Sequence, residues 1–267
     1  MLLNVDSLSI TLRSTGETLV QSLSFGLQKG CSLIILGQSG CGKTLTCRTV
    51  TGILDRRSFK PSGKVIFDGQ ELLSMSPKRQ RNIYGAQIAL IPQNPMTALN
   101  PSVRIGRQMA ETLRLHTGLK GKEVYTRLEA ALKEAGLNQT VEIMKSYPYT
   151  LSGGMLQRVL VAMALMMDAK LIVADEPTTA LDVENRNATV DNMCRLRERG
   201  AGILLVTHDF AVASRMGGDL LVIKDGQMVE QGKVHEVLAA PKHNYTSTLI
   251  EASRLSGTAA ERGELAC

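Results

Sequence analysis

The sequence predicts an α/β protein in which a core of apolar strands is interrupted by a long helical insertion. Three observations carry that expectation. Short, almost wholly apolar runs at 32–36, 171–174, 203–206 and 220–223 read as buried strands. Near the start, Leu8, Ile10 and Leu12, and then Leu23, Phe25 and Leu27, alternate with polar neighbours, the period of a strand with one wet face. Residues 95 to 165 hold helix-compatible stretches at 103–116, 121–136 and 153–167, broken by Pro, Gly and Asn, with no convincing strand among them.

The remaining elements fall between these. A helical rhythm over 43–54 follows the first buried strand, and a small β segment at 63–69 has turn residues at both ends. A basic stretch beginning near 74 leads into the apolar run Ile88-Ala89-Leu90-Ile91. Helical patterns separate the runs at 171–174 and 203–206. The Met-rich stretch Met163 to Met167 reads as helix core.

Composition excludes several functions. The 267 residues are 43% hydrophobic and 21% charged, the profile of a soluble globular chain. Four Phe, five Tyr and no Trp leave too few rings for gripping single-stranded nucleic acid by base stacking. The net charge of +6 suits an anionic ligand or an anionic membrane face, but no basic block marks a nucleic-acid binder. Five cysteines (Cys31, Cys41, Cys47, Cys194, Cys267) form no CxxC pair, so neither a zinc site nor a disulfide framework is expected. His116, His235 and His243 share no ligand spacing and read as surface residues. The opening residues lack a secretory pattern, and no apolar run approaches the roughly 20 residues of a spanning helix.

The sharpest motif is Gly37-Gln38-Ser39-Gly40-Cys41-Gly42-Lys43-Thr44, which satisfies G-x-x-x-x-G-K-[ST] between an apolar strand and a helical run. Its glycines permit a tight loop whose N–H groups point at phosphate oxygens, and the following helix adds its positive end. Lys43 supplies charge to the terminal phosphates and Thr44 a hydroxyl ligand for Mg2+. This is a nucleoside-triphosphate site. A second motif, Leu171 to Glu176, is a buried strand ending in two acids, an arrangement that is costly unless they meet a cation. Asp175 suits Mg2+ and Glu176 suits activation of the attacking water. A third, Leu151-Ser152-Gly153-Gly154-Met155, fits a phosphate-binding helix start, and equally an N-cap with a flexible lead.

The order of the nucleotide loop, Gln93, Leu-Ser-Gly-Gly, the strand ending Asp175-Glu176, Ala180-Leu181-Asp182 and His208 resembles the nucleotide-binding subunits of ABC transporters along almost the whole chain. The resemblance implies a P-loop NTPase core with a small antiparallel β subdomain and an inserted α-helical subdomain. Residues 1–94 and 166–267 would form the core and 95–165 the helical part of a single nucleotide-binding domain. It also implies roles. Gly37 to Thr44 bind ATP, and Thr44, Gln93 and Asp175 serve Mg2+, with Gln93 also sensing the membrane partner. Glu176, His208 and Lys43 carry the chemistry. Ser152, Gly153, Gly154 and Asp182 would act on ATP held by a second ATPase subunit, in a heterodimer more readily than a homodimer. Transmembrane permease subunits would be direct partners, an extracytoplasmic substrate-binding protein an indirect one, and nucleic acid none. The chain would sit peripherally on the cytoplasmic face of the cell membrane.

The segment Pro92 to Pro101, Tyr147-Pro148 before Leu-Ser-Gly-Gly-Met, and the terminal stretch Pro241 to Thr246 are similar to ATPases of oligopeptide, dipeptide and nickel importers, with Asn244 where Pro is usual. Leu45-Thr46-Cys47 and Gln108 to Thr112 favour the nickel branch over the peptide branches. Cys267 stands alone where some peptide-importer relatives carry a cysteine-rich tail. A soluble ABC-type ATPase acting on DNA or ribosomes fits less well, because the chain has one motif set and its insertion, residues 95–165, is too short for the long coiled coil of repair members. A P-loop kinase or GTPase leaves Leu-Ser-Gly-Gly and His208 unexplained. One departure stands out: Leu12 falls where many ABC ATPases place an aromatic that stacks on adenine. Such stacking contributes about 1–3 kcal/mol per base, so ATP and GTP should support hydrolysis with comparable KM. A strong preference for ATP in parallel titrations would overturn that expectation.

Overall fold

The computed structural model describes residues 1–179 and 181–263; Ala180 and Cys267 lie outside the described residues. The chain opens with two long strands, β1 (Leu3–Leu12) and β2 (Thr18–Leu27), followed by the short buried strand β3 (Ser32–Leu36) and helix α1 (Lys43–Val50). Next come β4 (Phe59–Phe67), β5 (Gln70–Glu71), a single turn of helix α2 (Pro77–Gln80) and β6 (Ile88–Ile91). Helices α3 (Ile105–Thr117), α4 (Lys122–Glu134), α5 (Thr140–Lys145) and α6 (Gly153–Met166) follow without an intervening strand. The chain continues through β7 (Leu171–Asp175), α7 (Val183–Glu198), β8 (Gly202–Val206), α8 (Phe210–Met216), β9 (Asp219–Lys224) and β10 (Gln227–Lys233). It closes with α9 (Val234–Ala239) and α10 (Asn244–Gly263).

Two sheets result. A four-stranded antiparallel sheet runs β2-β1-β4-β5, and a six-stranded sheet runs β10-β9-β3-β8-β7-β6. Within the second, β3 lies parallel to β8 and β9, and β7 parallel to β6 and β8; only β10 pairs antiparallel. The buried strands sort their residues by the two-residue period. Ile34, Leu36, Ile172, Ala174, Ile203, Leu205, Leu220 and Val222 join one apolar cluster with the helices. Their neighbours Leu33, Ile35, Leu171, Val173, Leu204, Val206, Leu221 and Ile223 join another, built with β1, β2, β4 and α1. The six-stranded sheet is therefore the wall between two cores, which is why its strands read as continuous apolar runs.

Two boundaries differ most from the sequence reading. The helix read over 43–54 stops at Val50, because Thr51 and Gly52 close it: the Thr51 N–H and hydroxyl both donate to the Cys47 carbonyl. The β segment read at 63–69 begins earlier, at Phe59, and Asp68-Gly69 are the turn into β5, both with positive φ. The helical stretch packs on itself and on the sheet through Met109, Leu113, Leu128, Leu132 and Val159, all fully buried. Leu128→Ala should therefore cost about 2–5 kcal/mol of stability. Urea unfolding followed by circular dichroism measures it, and a loss under about 1 kcal/mol would show that this packing is loose.

Candidate nucleotide site

The register of the parallel strands positions the site. Ile35 pairs with Val206, Val206 with Asp175, and Ala174 with Ile91, so the carboxyl ends of β3, β8, β7 and β6 lie side by side. The next residues of each strand, Gly37 to Thr44, Thr207-His208, Glu176 and Gln93, emerge at one edge of the sheet, where α/β proteins bind ligands. Ser39, Gly40, Gly42, Lys43, Thr44, Gln93 and Glu176 line a cleft there of about 260 Å3.

The loop is built for close approach. Gly42 caps α1 with φ 99°, and a Cβ there would stand 2.7 Å from Val20 Cγ2. A side chain is therefore excluded both by backbone and by the neighbouring strand. With no side chain capping α1, the amide groups of its first turn are left for a ligand. The Lys43 side chain is buried, and its Nζ donates to the carbonyls of Gly37 and Gln38, both at 2.8 Å. The ammonium is thereby held inside the loop by fixed dipoles instead of water. Cys41 Sγ lies 3.8 Å from it. Burial pushes the Cys41 thiol up, against the pull of Lys43. Cys47, on the buried face of α1, is pushed well above the ordinary thiol range by burial and by the Asp175 charge.

Asp175 and Glu176 differ in surroundings. Asp175 is buried and accepts the Thr44 hydroxyl at 3.2 Å. Burial raises its pKa, the Thr44 bond lowers it, and the Glu176 charge raises it again, with a net shift upward. A carboxylate and a hydroxyl converging at the floor of an anion cradle are hard oxygen donors, and this pair fits Mg2+. Glu176 projects from a backbone with φ 48°, the left-handed region that a Glu seldom adopts. Its N–H donates to Val206 O at 2.9 Å, which fixes that conformation. One oxygen, Oε2, then collects three partners: Gln93 Nε2 at 3.3 Å, Thr179 Oγ1 at 3.1 Å and His208 Nδ1 at 3.2 Å. Strain retained at a residue so surrounded points to function.

Ser152, Gly153, Gly154 and Asp182 form a second cluster. Ser152 caps α6 by accepting the Met155 N–H at 3.3 Å, and a Cβ at Gly153 would meet open space. Asp182 caps α7 by accepting the Asn185 N–H at 2.8 Å, and this bond with the Asn185 amide holds its carboxyl below the usual range. Asn185 joins the two helices. Its Oδ1 accepts from Arg158 at 2.6 Å, and a Cβ at Gly154 would stand 2.6 Å from it. Neither Asn185 nor Arg158 stands out as a site residue in the sequence, where the spacing of Arg158 from Gly154 on one helix is the available signal. Among the described residues, no hydrogen bond or ion pair ties this cluster to Lys43 or Glu176. Leu12 pairs with Phe59 of β4, and the β-sheet residues against Gly42 are Leu19 and Val20. The ring that reaches the loop is Tyr245 of α10, whose hydroxyl accepts the Gln38 N–H at 3.1 Å.

Beside the loop, a second cleft of about 410 Å3 is lined by Thr44, Arg48, Ile53, Gln93, Asn94, Thr97 and Asp175 among others. No helix among the described residues is long and apolar enough to cross a membrane.

Known proteins resemble this chain in sequence and in fold. Residues 20–179 match the family described as ABC transporter. The metal-staphylopine import system ATP-binding protein CntD of Staphylococcus aureus is 37% identical over 254 residues, spanning 95% of this chain and 93% of that protein. The dipeptide transport ATP-binding protein DppD of Escherichia coli is 36% identical, over 94% of this chain and 78% of its own length. Among solved structures, the ATP-binding cassette MJ0796, a dimer in a post-hydrolysis state bound to ADP and Pi, superposes with a TM-score of 0.76 at 26% identity, over 87% of this chain and 98% of that one. CbiO1 of Clostridium perfringens, part of the ABC transporter complex CbiONQ, gives 0.75 at 27% identity over 90% and 91%. Matched by the family over more than half its length, and aligned with CntD and DppD over more than three quarters of theirs, the chain belongs to the ABC transporter family as an ATP-binding, ATP-hydrolysing subunit.

Proposed function

We propose that this chain is the energy-coupling ATPase of a membrane importer, acting on nickel or a nickel chelate. The observation that carries the hydrolytic part is the convergence of Gln93, Thr179 and His208 on Glu176 Oε2 beside the nucleotide loop. Glu176 takes the proton of the attacking water, His208 and Gln93 orient that carboxylate, and Lys43 with the loop amides neutralises charge growing on the phosphates. Thr44 and Asp175, with Gln93 nearby, would hold Mg2+, which supplies positive charge between the phosphates when bound. In this reading nickel is cargo, handled by the binding protein and the membrane subunits.

Ser152, Gly153, Gly154 and Asp182 act in trans, on ATP seated in a second ATPase subunit. The open space over Gly153 and the exposure of Ser152 and Asp182 support an outward-facing role. Because Asn185 and Arg158 link the two caps, closure of the dimer engages both at once. The cleft beside Gln93, with Arg48 and the exposed Ile53, is where a permease subunit docks, so that the same glutamine faces both partner and catalytic carboxylate. In this reading the protein sits peripherally on the cytoplasmic face of the cell membrane. A metal-containing cargo is supported by the similarity to CntD, the ATP-binding protein of a metal-staphylopine import system. The similarity to DppD favours a second reading, import of a dipeptide or oligopeptide.

Glu176→Gln should lower kcat by about 10²–10⁴-fold while leaving ATP affinity in place, so that an ATP-bound dimer accumulates on size exclusion. Turnover at the wild-type rate would remove Glu176 from its assigned role. For cargo, a strain lacking this chain should lose uptake of labelled nickel, given free and as a chelate, and regain it with the wild-type gene. Loss of labelled dipeptide uptake alone would transfer the assignment to the second reading.

A further inference from the structure

The terminal stretch Pro241 to Thr246 has no part in the chemistry above, yet it is fastened firmly. Glu230 of β10 is buried, 7% exposed, and its two carboxylate oxygens accept the N–H groups of Lys242 at 2.7 Å and His243 at 3.2 Å. His243 Nδ1 in turn accepts the Tyr245 N–H at 3.1 Å. The Tyr245 ring is thus fixed at the start of α10, with Lys224 Nζ 5.3 Å from its centroid. From there its hydroxyl reaches the nucleotide loop, 207 residues earlier in the chain, and accepts the Gln38 N–H at 3.1 Å.

That N–H belongs to the same planar peptide unit as the Gly37 carbonyl. The Gly37 carbonyl is one of the two that hold Lys43 Nζ, and the other is the carbonyl of Gln38 itself. Tyr245 and Lys43 therefore grip opposite edges of one peptide plane. Rotation of that plane would carry the carbonyl, and with it the ammonium, away from its position in the cleft. Gly37 has no side chain to resist such rotation, since a Cβ there would stand 2.4 Å from Ile223 O. We infer that Tyr245 is a positioning residue for the nucleotide loop: through the Gly37–Gln38 peptide it sets the resting place of Lys43, and Glu230 in turn holds Tyr245. The terminal stretch is a brace on ATP binding, built from the far end of the chain.

The test measures ATP affinity and steady-state hydrolysis on the full chain, and so is independent of cargo. Tyr245→Phe removes one acceptor and keeps the ring. It should raise Kd and KM for ATP about three- to tenfold, with kcat changed by less than about twofold and the melting temperature by less than about 2 °C. Gln38→Pro has no N–H to offer, so adding Tyr245→Phe to it should change KM no further. Glu230→Gln should raise KM in the wild-type background and leave Tyr245→Phe unaltered. The assignment is overturned if Tyr245→Phe binds ATP within about twofold of wild type. It is overturned equally if the shift persists undiminished in the Gln38→Pro and Glu230→Gln backgrounds, or if kcat and melting temperature fall along with affinity, as a merely structural contact would require.

Discussion

The alignment of four parallel strand ends is the constraint on which the site depends. Hydrogen bonding between β3, β8, β7 and β6 leaves no freedom in where Leu36, Val206, Asp175 and Ile91 finish. A slip of one residue in any pair would turn that strand's side chains to the opposite core. Both cores are apolar and closely filled, so each face of the sheet enforces the register seen by the other. Accuracy at the cleft is thus a by-product of burial on two sides, which no loop could achieve alone.

The same arrangement separates rigidity from adjustability. Lys43, Thr44, Asp175 and Glu176 stand on the sheet or on the helix packed against it, whereas Gln93 follows the end of β6 and leads into the helices. The only direct link described between that segment and the catalytic carboxylate is a 3.3 Å amide contact. The second cluster, carried by α6 and α7, is tied internally through Asn185 and Arg158.

Much of this was legible in the sequence because buried parallel strands leave long apolar runs, and phosphate chemistry requires glycine, lysine and acid at fixed spacing. Ser32–Leu36 was read to the residue, and α3, α4 and α6 within a few residues of their ends. What escaped was short or long-range. The single turn α2, the helices α5 and α9, and the half-exposed strand β10 bury too few residues to impose a period. Asn185 reads as an ordinary helix residue until α6 is laid beside α7. Tyr245 lies in a stretch noted only for resemblance, and its partner Gln38 contributes a backbone amide, which no side-chain pattern can reveal. Leu12 illustrates the reverse. Its apolar character was plain, but its neighbours are set by pairing with β4, and the loop instead abuts Leu19 and Val20.

The left-handed backbone of Glu176 sets stability against activity at a single position. A residue with a Cβ in that region is disfavoured by about 1–3 kcal/mol, and glycine would relieve the strain while removing the carboxylate. Selection for robustness alone would drift toward glycine there, and toward a protein that still folds, still binds nucleotide and no longer turns over. Keeping Glu at this point is a trade-off written into the fold, and stabilising this protein by consensus or backbone-guided design would have to leave residue 176 untouched.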